Sequence, residues 1–287
     1  MTNCIFVSDL HGNTGHYQKL FRVIAKETPR AVFLGGDLLP SVLSLVGFRG
    51  SAYADFINEY LLKEFALLRH EMKEAFPRIF IVMGNDDGRF AEASVLDVEA
   101  SRVWEYVHNR KVSFEDFQVY GYSYVPPTPF LLKDWERYDV SRYVDPGSVS
   151  PEEGMRSVPV HKDEQRNATI KDDLDKLVGD DSLERAIFLF HAPPYNSSLD
   201  RAALDGKMID HVPFDLHVGS IAIRRFIEER EPLLTLHGHI HESARLTGSW
   251  RDRIGRTHAF SAAHDGPELS VIRFAPGILD SATRELI

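Results

Sequence analysis

The sequence predicts an α/β fold organised on a parallel βαβαβ unit. Three observations carry that prediction. Three short runs, CIFVS at 4–8, AVFLGGD at 31–37 and RIFIVMGND at 78–86, hold unbroken apolar stretches, as strands buried on both faces do. Each run empties without a break into a polar turn: SDLHGN, GDL and MGNDD. Stretches of helical periodicity separate the runs, and connections of that size join parallel strands. In such units ligands sit beyond the carboxyl ends of the strands.

The first helix is expected over about Gly15 to Glu27, with Tyr17, Leu20, Phe21 and Ile24 on one face and Pro29 closing it. A second, over about Ser51 to Phe76, aligns Phe56, Ile57, Tyr60, Leu61, Leu68 and Met72, and Pro77 stops it. VWEYVHN and FQVYGYSY read as strands. Residues 126–166 then lose regular periodicity, with DPGSVSPEEG typical, and are too long for a plain connector. They are expected to be a functional flap, a dimer arm or a mobile loop. A short helix from about Thr169 to Val178 carries Ile170, Leu174, Leu177 and Val178 on one face, and Gly179 ends it. AIFLFHAPP is a strand ending in His191. A helix near Ser220 to Glu229 leads to PLLTLHGHIHE, a strand ending in histidines. The tail segments ESARLTGSW, RTHAFSAAH and LSVIRFAP read as antiparallel strands. No internal repeat divides the chain, so residues 1–287 are expected to form one domain with an irregular insertion at about 126–166.

A hydrophobic content of 43% with 26% charged residues suits a soluble globular enzyme. The formal charge of −10 argues against nucleic acid held through its phosphates, while leaving room for a local positive pocket whose charge comes from metal. One cysteine, Cys4, allows no intrachain disulfide and lends no support to an oxidising compartment. There is no leader pattern and no run of about 18 apolar residues, so the expectation is a cytoplasmic protein without membrane insertion. The triplet Asn167-Ala168-Thr169 fits a glycosylation acceptor, but nothing in the sequence suggests secretion.

Chemistry concentrates at the strand ends. Asp9 and His11 lie in SDLHGN, Asp37 in LGGDL, Asn85 in MGNDD, His191 in FLFHAPP, and His239 with His241 in LHGHIHE. Singly, each motif is more often a satisfied polar turn than a ligand. Together they converge, because parallel topology brings these ends to one edge. Two carboxylates, one amide oxygen and four imidazoles suit manganese, iron, zinc or cobalt, and no thiolate set for structural zinc exists. Seven ligands are too many for one open catalytic metal and suit two if one carboxylate bridges.

The ordered set D-x-H, GD, GN-x-D, H and GH-x-H resembles the signature of the calcineurin-like metallophosphoesterases over about residues 4 to 242. DLHGN, GHIHE and PPTPFLLKDWE resemble a small bacterial branch of predicted phosphoesterases. The resemblance implies a four-layer αββα sandwich of two mixed β-sheets with helices outside. It implies two divalent ions, manganese foremost, with Asp9, His11 and His241 on the first, Asn85, His191 and His239 on the second, and Asp37 bridging. A small phosphate ester, phosphodiester, pyrophosphate or nucleotide would be hydrolysed by metal-bridged hydroxide, since two cations lower the pKa of water from 15.7 towards about 7.

One residue departs from the pattern. Family members usually carry a histidine where this chain has Asp86, and that histidine serves the leaving oxygen. An aspartate beside two cations stays ionised and donates poorly. General acid catalysis is worth about 10² to 10⁴ in rate, so its loss implies a preference for good leaving groups. Asp87 matches the pattern and is expected to orient. Both are carried as candidate catalytic residues, with His16, His264 and Lys133 as alternative donors. Asn13, Tyr195 and Asn196 are candidates for a substrate wall, each equally readable as structural. Lys133, Trp135 and Arg137 are readable as a lid or as a surface flap. His237 points away from the ligands and reads as core. A homo-oligomer stays open, and so does a rival class, a metal-binding scaffold working through protein contacts.

Overall fold

The computed structural model describes residues 3–41, 56–209 and 211–287. β1 (Cys4–Val7) leads through α1 (Thr14–Glu27) to β2 (Ala31–Gly35). A π-helical turn (Phe56–Leu61) continues into α2 (Leu62–Met72), followed by β3 (Arg78–Val82), α3 (Glu92–Glu99), β4 (Glu105–Tyr106), β5 (Arg110–Phe114) and β6 (Phe117–Tyr122). After an irregular stretch come α4 (Lys162–Asn167), α5 (Ile170–Val178), β7 (Ala186–Phe190), a hairpin of β8 (Met208–Ile209) and β9 (Val212–Pro213), and α6 (Ile221–Arg230). β10 (Leu234–His237), α7 (Ser243–Thr247), β11 (Arg251–Ile254), β12 (Thr257–Ser261), β13 (Ser270–Phe274) and β14 (Thr283–Leu286) complete the order.

The main strands form two six-stranded mixed sheets, ordered β14-β13-β1-β2-β3-β4 and β11-β12-β10-β7-β6-β5. β1 to β4 run parallel, with β13 antiparallel to β1. β6, β7, β10 and β12 run parallel, with β5 and β11 antiparallel at the two edges. The apolar runs are continuous because both faces of each strand are covered. Cys4, Phe6, Phe33, Phe80 and Val82 meet Ile187, Leu189, Leu234, Leu236 and Phe260 between the sheets. Their alternates Ile5, Val7, Val32, Leu34, Ile79 and Ile81 cluster with Tyr17, Leu20, Phe21 and Ile24 of α1. Phe33 anchors the inner layer, its ring centre 5.2 Å from Phe80, 6.4 Å from Phe114 and 5.7 Å from Phe274.

Helix starts follow local capping. Asn13 Oδ1 accepts from the Gly15 and His16 amides at 3.0 and 3.2 Å and starts α1. Thr169 caps α5 and Ser220 caps α6, each accepting an amide bond at 3.0 Å. Residues 51–55 of the predicted second helix lie outside the described residues. α3 and β5 escaped the sequence pattern; β5 buries only Phe114, as an exposed edge strand does.

Two expectations are corrected. ESARLTGSW is not a strand: it closes one short helix, α7, ended by Gly248 at φ 75° before β11 begins. The tail also divides between the sheets, β11 and β12 joining one and β13 and β14 the other, and β12 runs parallel to β10. The side chains readable as a lid or as a surface flap turn inward. Lys133, Asp134, Trp135 and Glu136 are all 0% exposed. Lys133 Nζ donates to Glu136 Oε2 at 2.6 Å and to the Thr128 carbonyl at 2.9 Å, and the Thr128 amide donates to Glu136 at 2.8 Å. Burying that pair is tolerable only because its polar atoms find partners. The same burial removes Lys133 as a proton donor. Arg137 reaches both oxygens of Asp173 on α5 at 2.9 and 2.8 Å. Among the described residues no helix is long and apolar enough to cross a membrane.

His237 ends β10 facing the helices, stacked on Phe190 with ring centres 5.6 Å apart. Its Nδ1–H donates to the Ala192 carbonyl, and Nε2 accepts from the Thr235 hydroxyl, both at 2.8 Å. Burial pushes its pKa down to about 4, against the lift from the Ala192 bond. The unfolded chain takes up this proton near pH 6.5. Stability is therefore lost as pH falls from about 6.5 towards 4, by up to about 3 kcal/mol. Urea melts at pH 8 and pH 5 should give a smaller pH-dependent loss for His237→Gln than for the unmodified chain.

Candidate metal centre

The seven candidate ligands leave the carboxyl ends of five strands and meet where the two sheets adjoin. The first sheet supplies Asp9 and His11 after β1, Asp37 after β2 and Asn85 after β3. The second supplies His191 after β7 and His239 and His241 after β10. Backbone bonds lock the turns together. The Asp9, His11 and Gly12 amides donate to the carbonyls of Gly36, Asp37 and Leu38 at 3.0, 2.8 and 3.0 Å. Within the second sheet, Gly238 N–H donates to the His191 carbonyl at 2.9 Å, and across the seam His239 N–H donates to Asp9 Oδ1 at 3.0 Å.

Asp9, His11, Asp37 and His241 offer ligand atoms that all lie within 4.8 Å of one another. Beside them, His191 Nε2 lies 3.1 Å from Asn85 Oδ1 and 3.3 Å from Asp37 Oδ2. The His239 ring centre is 5.2 Å from that of His191. Asp37 stands between the groups, with Oδ2 also 3.9 Å from His11 Nε2. The tautomer of His191 is set from behind: Nδ1 donates to the Gly35 carbonyl at 2.7 Å, which leaves Nε2 to face the cluster. This oxygen and imidazole set, free of thiolate, fits a catalytic divalent cation.

A family model described as calcineurin-like phosphoesterase matches residues 2–243. The chain belongs to this family. Calcineurin-like phosphoesterases are divalent-metal-dependent hydrolases of phosphoric ester bonds. The chain is 37% identical over 78 residues to an uncharacterized protein, MJ1162, of Methanocaldococcus jannaschii, a match covering 26% of this chain and 30% of that relative. Its fold is similar to that of TT1561 of Thermus thermophilus, with a TM-score of 0.58 at 16% identity, covering 99% of this chain and 98% of that one. A dimetal phosphatase from Danio rerio is similar in fold at a TM-score of 0.53 and 10% identity, covering 94% and 91%.

Features of this calcineurin-like site that the sequence did not signal lie in its backbone. Asp9, His11, Asp37 and His239 adopt positive φ, at 57°, 44°, 51° and 75°. Such conformations cost a non-glycine residue about 1–3 kcal/mol and cluster at functional sites. The glycines beside the ligands have a steric cause. A Cβ on Gly84 would lie 2.3 Å from Asp37 Oδ1 and 2.6 Å from His191 Nε2, and one on Gly36 would lie 2.6 Å from His191 Nδ1.

The remaining expected residues separate. Asp87 is fully buried beneath the site and accepts from the Gly84, Leu38 and Leu39 amides at 2.9, 3.2 and 2.8 Å. Burial, aided by the Asp37 charge, pushes its pKa up to about 7 against those bonds. Its hydrogen bonds go to the backbone of both turns, and it has no open surface. Asp86 is partly open and meets His11 Nδ1 at 3.2 Å and Ser41 Oγ at 2.8 Å. Ser41 was not singled out, because only the fold brings it to Asp86. Asn13 uses Oδ1 for its helix cap. Tyr195 and Asn196 ride on the loop after His191, with the Tyr195 hydroxyl on Asp215 at 2.7 Å and the Asn196 amide on Asp200 at 2.9 Å. His16 bonds the Pro267 carbonyl at 3.1 Å, and His264 bonds Glu268 at 3.0 Å.

Burial pushes the Asp9 and Asp37 carboxyls up, but the surrounding imidazoles outweigh it and hold both below the ordinary carboxylate range. The reciprocal effect acts on the imidazoles. Burial lowers His11 and His191, yet Asp86, Asp37 and Asp9 around the first and Asp37 beside the second raise each to about 9. His239 goes the other way, to about 3, through burial and the neighbouring His191. A cation that took His11 and His191 as ligands would displace their protons. Divalent-ion binding at pH 7 should therefore release protons and weaken as pH falls, read by calorimetry in buffers of different ionisation enthalpy. Gly84→Ala should weaken that binding by about 10–100-fold, the usual effect of disturbing a ligand's support, while the far-ultraviolet spectrum stays unchanged.

Proposed function

We propose that the protein is a two-metal phosphoesterase acting on small phosphate esters, phosphodiesters, pyrophosphates or nucleotides. The observation that carries this reading is the position of Asp37, whose Oδ2 lies 3.3 Å from His191 Nε2 and 3.9 Å from His11 Nε2. A carboxylate between two ligand groups suits a bridge. Asp9, His11 and His241 would hold one ion, Asn85, His191 and His239 the other, with Asp37 shared and manganese the foremost metal. Bound divalent ions supply Lewis-acid charge and a nucleophile at neutral pH.

The chain's own residues hold and orient. The Gly35 carbonyl aims His191, and Asp86 aims His11. Asp87 ties the turn after β3 to the turn after β2. Tyr195 and Asn196, on the loop after His191, are proposed for the substrate wall. Asp86 occupies the position of the family's usual histidine, and its carboxylate accepts from Ser41 Oγ at 2.8 Å and lies 3.2 Å from His11 Nδ1. A carboxylate engaged on both oxygens is poorly suited to protonating a leaving oxygen, which supports a preference for substrates whose leaving group departs unaided. The whole chain is proposed to act as one catalytic unit, with residues 126–166 packed against it.

The test is a series of aryl phosphate mono- and diesters assayed with added Mn²⁺. Turnover should rise steeply as the leaving group becomes more acidic, and Asp37→Asn should reduce it to background. A flat dependence would overturn the leaving-group preference. Less than one metal per chain, no turnover and no effect of Asp37→Asn would favour a scaffold instead.

A further inference from the structure

His11 presents its two ring nitrogens to different neighbours. Nε2 faces the cluster, 3.3 Å from His241 Nε2 and 3.9 Å from Asp37 Oδ2. Nδ1 lies 3.2 Å from Asp86 Oδ2. A carboxylate oxygen can only accept, so Nδ1 is the nitrogen committed to Asp86 and Nε2 is the one turned to the cluster. Asp86 is itself held on three sides. Ser41 Oγ donates to Oδ1 at 2.8 Å, His11 takes Oδ2, and the Asp86 amide donates to Asp37 Oδ1 at 2.8 Å.

His191 makes the instructive comparison. It too is oriented from behind through Nδ1, but by the neutral carbonyl of Gly35. An imidazole backed by a carboxylate is a more basic ligand than one backed by a carbonyl, and outer partners of this kind commonly change metal affinity by about 10–100-fold. The two halves of the centre therefore differ in what supports them, and the difference is Asp86. Ser41 sets the carboxylate's rotation, because its hydroxyl occupies the oxygen that His11 does not use.

We propose that Asp86 is a positioning residue that holds His11 through Nδ1 and thereby sets the cation affinity of the Asp9–His11–His241 half of the centre. This rests on the two-metal reading above. Asp86 acts through His11, not on the substrate, and Ser41 acts through Asp86. The substitution that removes the family's usual histidine thus adds a support to the first ligand group.

The experiment is titration of the chelator-stripped full chain with Mn²⁺ by calorimetry, for the unmodified protein, Asp86→Ala, Asp86→Asn and Ser41→Ala. Leaving-group series at saturating Mn²⁺ accompany each titration. Asp86→Ala should weaken one of two Mn²⁺ events by about 10–100-fold and leave the other near its original affinity. Asp86→Asn keeps an acceptor oxygen without the charge and should recover part of the loss, a rescue that a packing defect would not show. Ser41→Ala should give a smaller loss in the same event. The leaving-group slope should be the same for all four proteins. Unchanged Mn²⁺ affinity in Asp86→Ala, or a steeper slope in that variant at saturating metal, would overturn the proposal and make Asp86 a group acting on the substrate. An unmodified chain that binds no Mn²⁺ would overturn the two-metal reading itself, an outcome distinct from normal binding that ignores Asp86.

Discussion

The burial of Asp37 is the constraint on which the rest of the centre depends. Its carboxylate is 3% exposed, and an unpaired charge at that depth would cost several kcal/mol. Positive charge must therefore surround it. His191 comes from the opposite sheet, His11 from the turn after β1, and the Asp86 amide from the turn after β3. Protons on the imidazoles meet the need in part, and a divalent cation meets it more fully. Each participant enters from a different strand end, so this one carboxylate gathers groups from both sheets.

That requirement explains strain elsewhere in the backbone. Four candidate ligands sit at positive φ, and glycines flank them where a methyl group would strike a ligand atom. The strain persists because the turns are tied to each other by backbone bonds and by Asp87 from below. Asp87 lies within the apolar packing of Tyr17, Leu34, Leu38 and Ile81. Its three amide bonds offset part of the penalty of that position and tie the two turns together. Rigidity here serves chemistry, since a ligand set held in place does not need to reorganise when charge develops.

The irregular stretch shows the same logic away from the ligands. Asp134 accepts from the Arg89 amide at 2.8 Å and from the Ser157 amide at 2.8 Å. It thereby fastens the chain after Asp86–Asp87 to the segment that carries the Lys133–Glu136 pair. The buried Lys133–Glu136 pair is satisfied by Thr128, and buried Asp134 by the Arg89 and Ser157 amides. The stretch that periodicity left open as a functional flap, a dimer arm or a partly mobile loop holds specific polar bonds, which a hydrophobic pattern does not register.

The sequence by itself determined the buried parallel strands β1, β2, β3, β7 and β10 and the polar turns that follow them. Continuous apolar runs ending in Gly-Asp or Gly-Asn turns are local features, and local features survive in one dimension. Helix limits were legible to within a residue wherever a cap residue marked them, as at Thr169, Gly179 and Ser220. The tail was misread at ESARLTGSW because a five-residue helix and a short strand share the same composition. Tertiary structure alone decided the side-chain roles: that Lys133 and Trp135 turn inward, that Asp87 lies beneath the site, and that Asp86 meets Ser41 and His11. Those contacts join residues 45 and 75 positions apart, and their energies depend on burial and on the direction of single oxygen atoms. Neither quantity is written in the spacing of residues along the chain.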